Sequence, residues 1–524
     1  MSKTSVKINS ILSGRGPSKY FASPGQFTVS IAIDPDFPIG TETQASGAIH
    51  PTVYEEFSGA NITGFPKFLM SNPKNTLLYA YASDGKVVSY TSALGSETLV
   101  GTPTSGAGNG AAYYNNYIYF ATPTDVSRYG PLNNSPSLTN TVWTGATLGT
   151  LTALTNTTYP SLRGTPIPNH AMHVHGDGSL YFCDFINGQG LIHRINTKKV
   201  TDEGDTNGTT VASAYNVLDL PFGYYPTDIE SYGTDLAILA IRTVDATANQ
   251  GSAALFFWDA TSSSFYRQIT LPDPLATALL YANGILYCWS GNASNGVRLS
   301  AYLGGEIVRQ VAFLEEGTPP LAGAVDVIGN KIVFGGWTSY PEATACVYAY
   351  GSKNELLPKG LHNIVRTTSA GTTPTCTAVK FFQQADFITP QIVVGWGDDT
   401  AGAGGKGLDK LSTTGTYDAH YRSEVFNIGR PFNIESIIIP LGKAVAANMT
   451  ITPKIFVDDD VTTGTSLTVI NNTNFSGKKT IVYKSPSMKA IQAEHNFMLA
   501  LEFTGTVSLP VLMPIEVTIS VIEF

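Results

Sequence analysis

The densest group of side chains able to do chemistry is His170-Ala-Met-His173-Val-His175-Gly-Asp177. Read as a strand, it puts His173 and His175 on one face, because side chains alternate with a period of two. Two imidazoles, with Asp177 or His193 as a third donor, would suit a zinc-like ion. The segment also ends in an Asp177-Gly178 turn signal and has no counterpart elsewhere in the chain. Histidines hydrogen-bonded beside a hairpin are the simpler account, so His173, His175 and Asp177 stand as candidates while neither a metal nor a cofactor is expected.

Other chemical motifs dissolve on inspection. The run Asp458-Asp459-Asp460 offers oxygen ligands but lacks the spaced ligands and distal Glu of a calcium loop, and it reads as an acidic hairpin tip. Gly402-Ala-Gly404-Gly-Lys-Gly407 matches GxGxxG, yet a phosphate loop must open a helix, and nothing helical follows here. No GxSxG, HExxH or kinase signature is present, so no catalytic residue is nominated. Sialidase-type hydrolases carry a Ser-x-Asp-x-Gly-x-x-Trp turn, echoed only at Ser83-Asp84-Gly85. A glycosidase would need two carboxylates a fixed distance apart, which sequence cannot place.

The elements that must position these residues repeat. An apolar strand, a short turn rich in Asn, Asp and Gly, and a second strand recur from Phe68 to Leu78, Ala112 to Ile118, Met172 to Leu180, Ile229 to Leu236, Leu279 to Leu286, Val325 to Ile332 and Ala378 to Ile392. The spacings between the second anchors are 40, 62, 56, 50, 46 and 60 residues. Asn-Gly and Asp-Gly tolerate the positive φ of tight hairpins, and a unit of this length holding three or four strands suits a propeller blade. The expectation is an all-β chain: an extended N-terminal arm over residues 1–65, a seven-bladed β-propeller over 66–415, and a C-terminal β-sandwich over 418–524. Strands of the last region are expected at Ser423–Ile428, Ile434–Ile439, Met449–Val457, Leu467–Ile470, Thr480–Tyr483, Phe497–Phe503 and Ile515–Val521.

Composition agrees. Of 524 residues only 14% are charged, against 43% hydrophobic, which excludes disorder, and a net charge of −9 with no basic stripe argues against nucleic-acid binding. Met1 to Leu12 holds no signal-peptide core and no segment approaches about 20 apolar residues, so cytoplasmic synthesis without membrane insertion is expected. Cys183, Cys288, Cys346 and Cys376 sit in strand-like apolar runs with no metal spacing and read as buried thiols.

The phrases Ile33-Asp-Pro-Asp-Phe-Pro38, Ser46-Gly-Ala-Ile-His-Pro51, Asn72-Pro-Lys-Asn75, Phe426-Asn-Ile-Gly-Arg-Pro-Phe-Asn433 and Leu512-Met-Pro-Ile-Glu516 resemble uncharacterised propeller proteins encoded by tailed bacteriophages. The resemblance is one of phrase and layout and carries no catalytic motif. It implies a non-enzymatic virion structural protein, in the tail or at an exposed surface, tethered by its arm to other virion proteins, homo-oligomeric, and able to contact a host glycan. The alternatives are a virion-associated glycan-processing hydrolase and a cellular carbohydrate- or protein-binding module.

Overall fold

Turn chemistry decides where the chain reverses. Asn283 and Gly284 take φ 52° and 79°, and Asn115 and Asn116 take 48° and 70°, the paired positive angles that match the twist of a two-residue hairpin. In the computed structural model all the repeated phrases form antiparallel strand pairs. The structure describes residues 3–8, 15–16, 27–31, 33–34, 48–49, 54–57, 59–72, 76–91, 94–103, 108–122, 125–140, 142, 170–196, 212–245, 250–292, 296–315, 317, 319–338, 343–352, 359–369, 374–382, 391–398, 405–411, 417–442, 444–458, 460, 463–484, 491–505 and 515–522.

Among the described residues each hairpin grows into a four-stranded antiparallel unit. Six units are separate sheets, and the unit that begins at Val325–Ile328 is part of a ten-stranded sheet. The units open with the strands Pro66–Ser71, Gly110–Tyr114, Met172–Val174, Tyr225–Tyr232, Leu275–Ala282, Val325–Ile328 and Pro374–Phe382, in that order. These opening strands touch in sequence, and the last touches the first, which closes a ring. The arrangement is a β-propeller.

Strands caught between two neighbouring sheets cannot show an alternating pattern, since both faces are covered. Leu236–Ile241 accordingly reads Leu-Ala-Ile-Leu-Ala-Ile and is buried throughout. Aromatic rings fill the widening gaps between units, as Tyr81 on Phe120, Tyr181 on Trp258 and Trp289 on Phe334, with centroids 5.0, 5.8 and 5.4 Å apart. Polar side chains of the opening strands then clasp the next unit's backbone. Thr227 and Thr277, each at a register shift, donate to the carbonyls of Ala276 (2.8 Å) and Pro320 (2.7 Å). The Asp228 and Asp326 carboxylates accept from the N–H groups of Leu279 and Phe381, both at 2.7 Å.

Ahead of the sixth unit, the single turn Ala322–Ala324 touches the opening strands of the first, fifth and seventh units. Its small residues are dictated by this close approach: a Cβ at Gly323 would lie 2.0 Å from the Lys67 carbonyl oxygen.

Beyond the ring, Phe432–Pro440, Thr480–Lys484, Ile491–Ala493 and Ile515–Val521 form one sheet, and Tyr417–Ser423, Met449–Val457 and Asn496–Gly505 lie in another. The apolar sides of both share a core that includes Phe432, Ile437, Ile455, Leu501 and Val517. Two expected strands differ. Ser423–Ile428 is interrupted because the Ser423 hydroxyl accepts Leu499 N–H and donates to Glu424 O, displacing the ladder. Leu467–Ile470 is reduced to a bridge at Ile470, opposite a strand whose Pro453 has no N–H to donate.

The first residues do not stand apart. Lys3–Ile8 pairs with Ile515–Val521. Phe27–Ile31 lies between Tyr417–Ser423 and, through one parallel pairing, Gly360–Arg366, so it joins the sixth unit to the second sheet system. Tyr54–Glu56 is the fourth strand of the seventh unit, hydrogen-bonded to Lys406–Leu411. These segments meet the chain's own strands, which removes the physical ground for a tether to a neighbouring subunit.

Candidate functional site

The third unit's opening strand does place His173 and His175 on one face, and what they meet is Ser231 of the fourth unit. Ser231 Oγ is 2.8 Å from His173 Nε2 and 2.9 Å from His175 Nδ1. His175 Nε2 lies 3.1 Å from the Thr234 carbonyl, and His173 Nδ1 is 3.3 Å from Glu230 Oε1. His173, Ser231, His175 and Thr234 thus form one hydrogen-bonded line across the boundary between units, with Glu230 beside His173 at its end.

Asp177 is not part of this line. Its carboxylate accepts from Ser179 N–H (2.9 Å) and the Tyr181 hydroxyl (2.7 Å), which fastens the hairpin turn. His193 belongs to a separate, fully buried group, 3.1 Å from Asp184 Oδ2, with His170 3.6 Å from the other oxygen. Among the described residues no three His, Cys, Asp or Glu side chains converge as metal ligands.

Burial sets the protonation of the line. It pushes the Glu230 carboxyl up to about 8, with the Asp228 charge adding to the effect. Burial, and then neighbouring His175, pulls His173 down to about 4. Asp228 is pushed up to about 7 by burial, against two backbone N–H donors. Near neutrality Glu230 therefore holds a proton and His173 is uncharged.

Asp228 also borders an axial cavity of about 160 Å³, lined by Leu69, Met70, Ala111, Met172, Val325 and Val379 together with Lys380 and the Ala322-Gly323 turn. Lys380 is 3.2 Å from Asp326. More of the cavity's surface is polar than apolar, and it is smaller than the roughly 300 Å³ at which sites for drug-sized ligands begin.

At the end of the ring where the first hairpins turn, the fourth and fifth units carry a surface of different character. Tyr232 packs against Phe257, Tyr281 and Tyr302, with centroids 5.2–5.8 Å apart. Arg267 Nη1 donates to the Tyr302 hydroxyl and to the Gly305 carbonyl, both at 2.7 Å, fixing the turn after Tyr302. Around this frame Tyr266, Leu303 and Ile307 are 56%, 64% and 76% exposed. Sequence reading missed Glu230, Ser231 and this surface; the signal on offer was a polar Glu-Ser pair at hairpin positions that are Leu-Tyr and Lys-Phe in the fifth and seventh units.

The remaining motifs are structural. Asp458, at φ 49°, accepts backbone N–H groups from Glu494, His495 and Asn496 at 2.8–3.4 Å. Asp460 accepts from Thr463 and Gly464, and Asp459 lies outside the described residues. Of the glycine-rich run, 402–404 lie outside the described residues, while Lys406 begins a strand and donates to the Thr63 carbonyl. Asp84 accepts from Thr63 and Lys86, closing the Ser83–Gly85 turn. All four cysteines are buried free thiols.

No known protein family matches the chain, and no curated protein does. Among solved structures it is similar to U3-55K (TM-score 0.42, 11% identity, covering 68% of this chain and 98% of that one). It is similar also to the β-propeller domain of Myceliophteria thermophila Cps50 (Swd1) (0.41, 10%, 69% and 100%) and to the RRP9 WD40 repeats (0.42, 10%, 70% and 99%). The expectations of a tailed-phage virion structural protein and of a virion location are overturned. Among the described residues, the flanking strands expected to reach other virion proteins pair within the chain instead.

Proposed function

We propose that the chain is a seven-bladed β-propeller, residues 66–415 completed by Tyr54–Glu56, joined to a two-sheet sandwich built on 418–524, and that it works as a protein-binding module. The reading of seven blades is supported by the closed ring of opening strands, and that of a sandwich by the core common to two sheets.

The observation that carries the binding reading is the surface around Tyr232, Tyr266, Tyr281, Tyr302 and Arg267. Tyrosine and arginine are the residues enriched in interface hot spots, and exposed Leu303 and Ile307 lie beside them in one turn. Arg267 holds that turn in place before any partner arrives, which lowers the ordering cost of association. The small size of the axial cavity favours binding at the outer surface over catalysis inside the ring.

Proximity labelling with the full chain, compared with a Leu303→Glu/Ile307→Glu variant of unchanged circular dichroism, tests this. Specific protein neighbours of the wild type should be lost in the variant. Identical neighbour sets would refute the assignment of this surface, and glycan-array binding abolished by Tyr281→Ala would replace a protein partner with a carbohydrate.

A further inference from the structure

The Ser231 hydroxyl is held between two imidazoles, and the hydrogen-bond directions around it are fixed. The Thr234 carbonyl can only accept, so His175 carries its proton on Nε2 and presents a bare Nδ1 to Ser231, 2.9 Å away. Ser231 therefore donates its Oγ–H to His175 and receives the Nε2–H of His173 at 2.8 Å. A serine hydroxyl directed onto the lone pair of an oriented imidazole is the arrangement that activates serine nucleophiles. The backbone carbonyl of Thr234 takes the orienting role that a carboxylate has in a triad.

Access is compatible with small reagents. The His173 and Glu230 side chains flanking Ser231 are 22% and 20% exposed, and Ser231 is itself partly exposed. They stand at the end of their strands, one residue from the Tyr232 surface.

We infer that Ser231 is an acyl-acceptor site, activated by His175, that takes small activated esters and related phosphonylating electrophiles. In the step, Oγ attacks the carbonyl carbon as its proton passes to His175 Nδ1. The bond from that carbon to the leaving alcohol's oxygen breaks, and the departing alkoxide takes the proton from His175. The product is one acyl-serine and one free alcohol, with no redox change; with a fluorophosphonate, Oγ attacks phosphorus, the P–F bond breaks, and fluoride leaves with the proton released by His175. The acyl group then occupies the space between Ser231 and the two imidazoles, so modification breaks the bridge between the third and fourth units. This inference does not depend on the protein-binding reading.

The test treats the full chain with a biotin fluorophosphonate and, separately, with p-nitrophenyl acetate, and locates the adduct by peptide mass spectrometry. One adduct is expected at Ser231, absent in Ser231→Ala. Its rate should fall about 100-fold in His175→Asn, the scale of a lost general base. The wild-type measurement stands even where His175→Asn does not fold: no adduct at Ser231, or one that forms no faster than at other surface serines, overturns the inference. An unchanged rate in a folded His175→Asn overturns the role of His175.

Discussion

Replacing Glu230 by Gln should make the protein more stable at pH 8 and leave it nearly unchanged at pH 4.5. Glu230 is raised from 4.5 to about 8 in the folded chain. A carboxyl raised by folding gives a contribution that is complete below its unfolded value and is lost as pH rises through the folded one. At about 1.4 kcal/mol per pH unit the ceiling is about 5 kcal/mol. The coupling to Asp228 and the fifth of the side chain that solvent reaches reduce the expected gain to about 2–3 kcal/mol at pH 8. A glutamine whose oxygen takes the place of Glu230 Oε1 still accepts from Ser231 N–H (2.9 Å) but gives up proton donation to His173 Nδ1, which faces that same oxygen, and this loss lowers the gain. His173 acts in the opposite direction: lowered to about 4, it contributes above its unfolded value near 6.5 and that contribution is lost as pH falls towards 4. Urea midpoints of both proteins between pH 4.5 and 8 would measure the difference. Parallel curves across that range would show that Glu230 is ionised in the fold and that the proton assignments along the line are wrong.

Gly323→Ala places a methyl against the Lys67 carbonyl and should cost about 1–3 kcal/mol by overpacking, read from the same urea titration; an unchanged midpoint would mean that the turn can withdraw freely. Deleting residues 1–56 removes the closing strand Tyr54–Glu56 as well as Lys3–Ile8 and Phe27–Ile31; loss of the cooperative thermal transition is expected, and a soluble truncation melting at the wild-type temperature would contradict this account of the ring. Asp458→Ala leaves three exposed N–H groups to water and should cost about 0.5–1.5 kcal/mol, while Asp458→Asn, which keeps an acceptor and tolerates positive φ, should cost less; equal losses in both would exclude the clamp. Burial alone would raise the Asp458 carboxyl, but its backbone donors outweigh that and hold it below the usual range, so this contribution should persist above about pH 4 and disappear on acidification.

What the sequence disclosed was whatever local chemistry determines. Each hairpin was legible because Asn, Asp and Gly at the turn and β-branched or aromatic runs beside it fix both direction and length. The shared face of His173 and His175 followed from strand periodicity alone. Their partner did not, because Ser231 lies some sixty residues away and is brought near only by the rotation between successive sheets, which no local pattern records. Tyr54–Glu56 was equally hidden, being three residues long with its partner at the other end of the ring. The GxGxxG match misled at the sequence level only until its missing helix was considered, and Lys406 confirms the point by starting a strand. The acidic run misled less, since Asp458 serves as a turn anchor.

The closing strand also sets a timetable. Tyr54–Glu56 is synthesised early, while Lys406–Leu411, its hydrogen-bonding partner, leaves the ribosome roughly 350 residues later, about 20–70 s at ordinary elongation rates. During that interval the ring is open at one seam and its waiting edge offers unpaired backbone to any passing strand. Lys3–Ile8 waits longer still, for Ile515–Val521. Completion of the ring is thus postponed until Lys406–Leu411 has emerged, and that of the second seam until Ile515–Val521 has, and how much of this chain reaches its native form in a cell depends on how well the early strands are kept from pairing elsewhere until then.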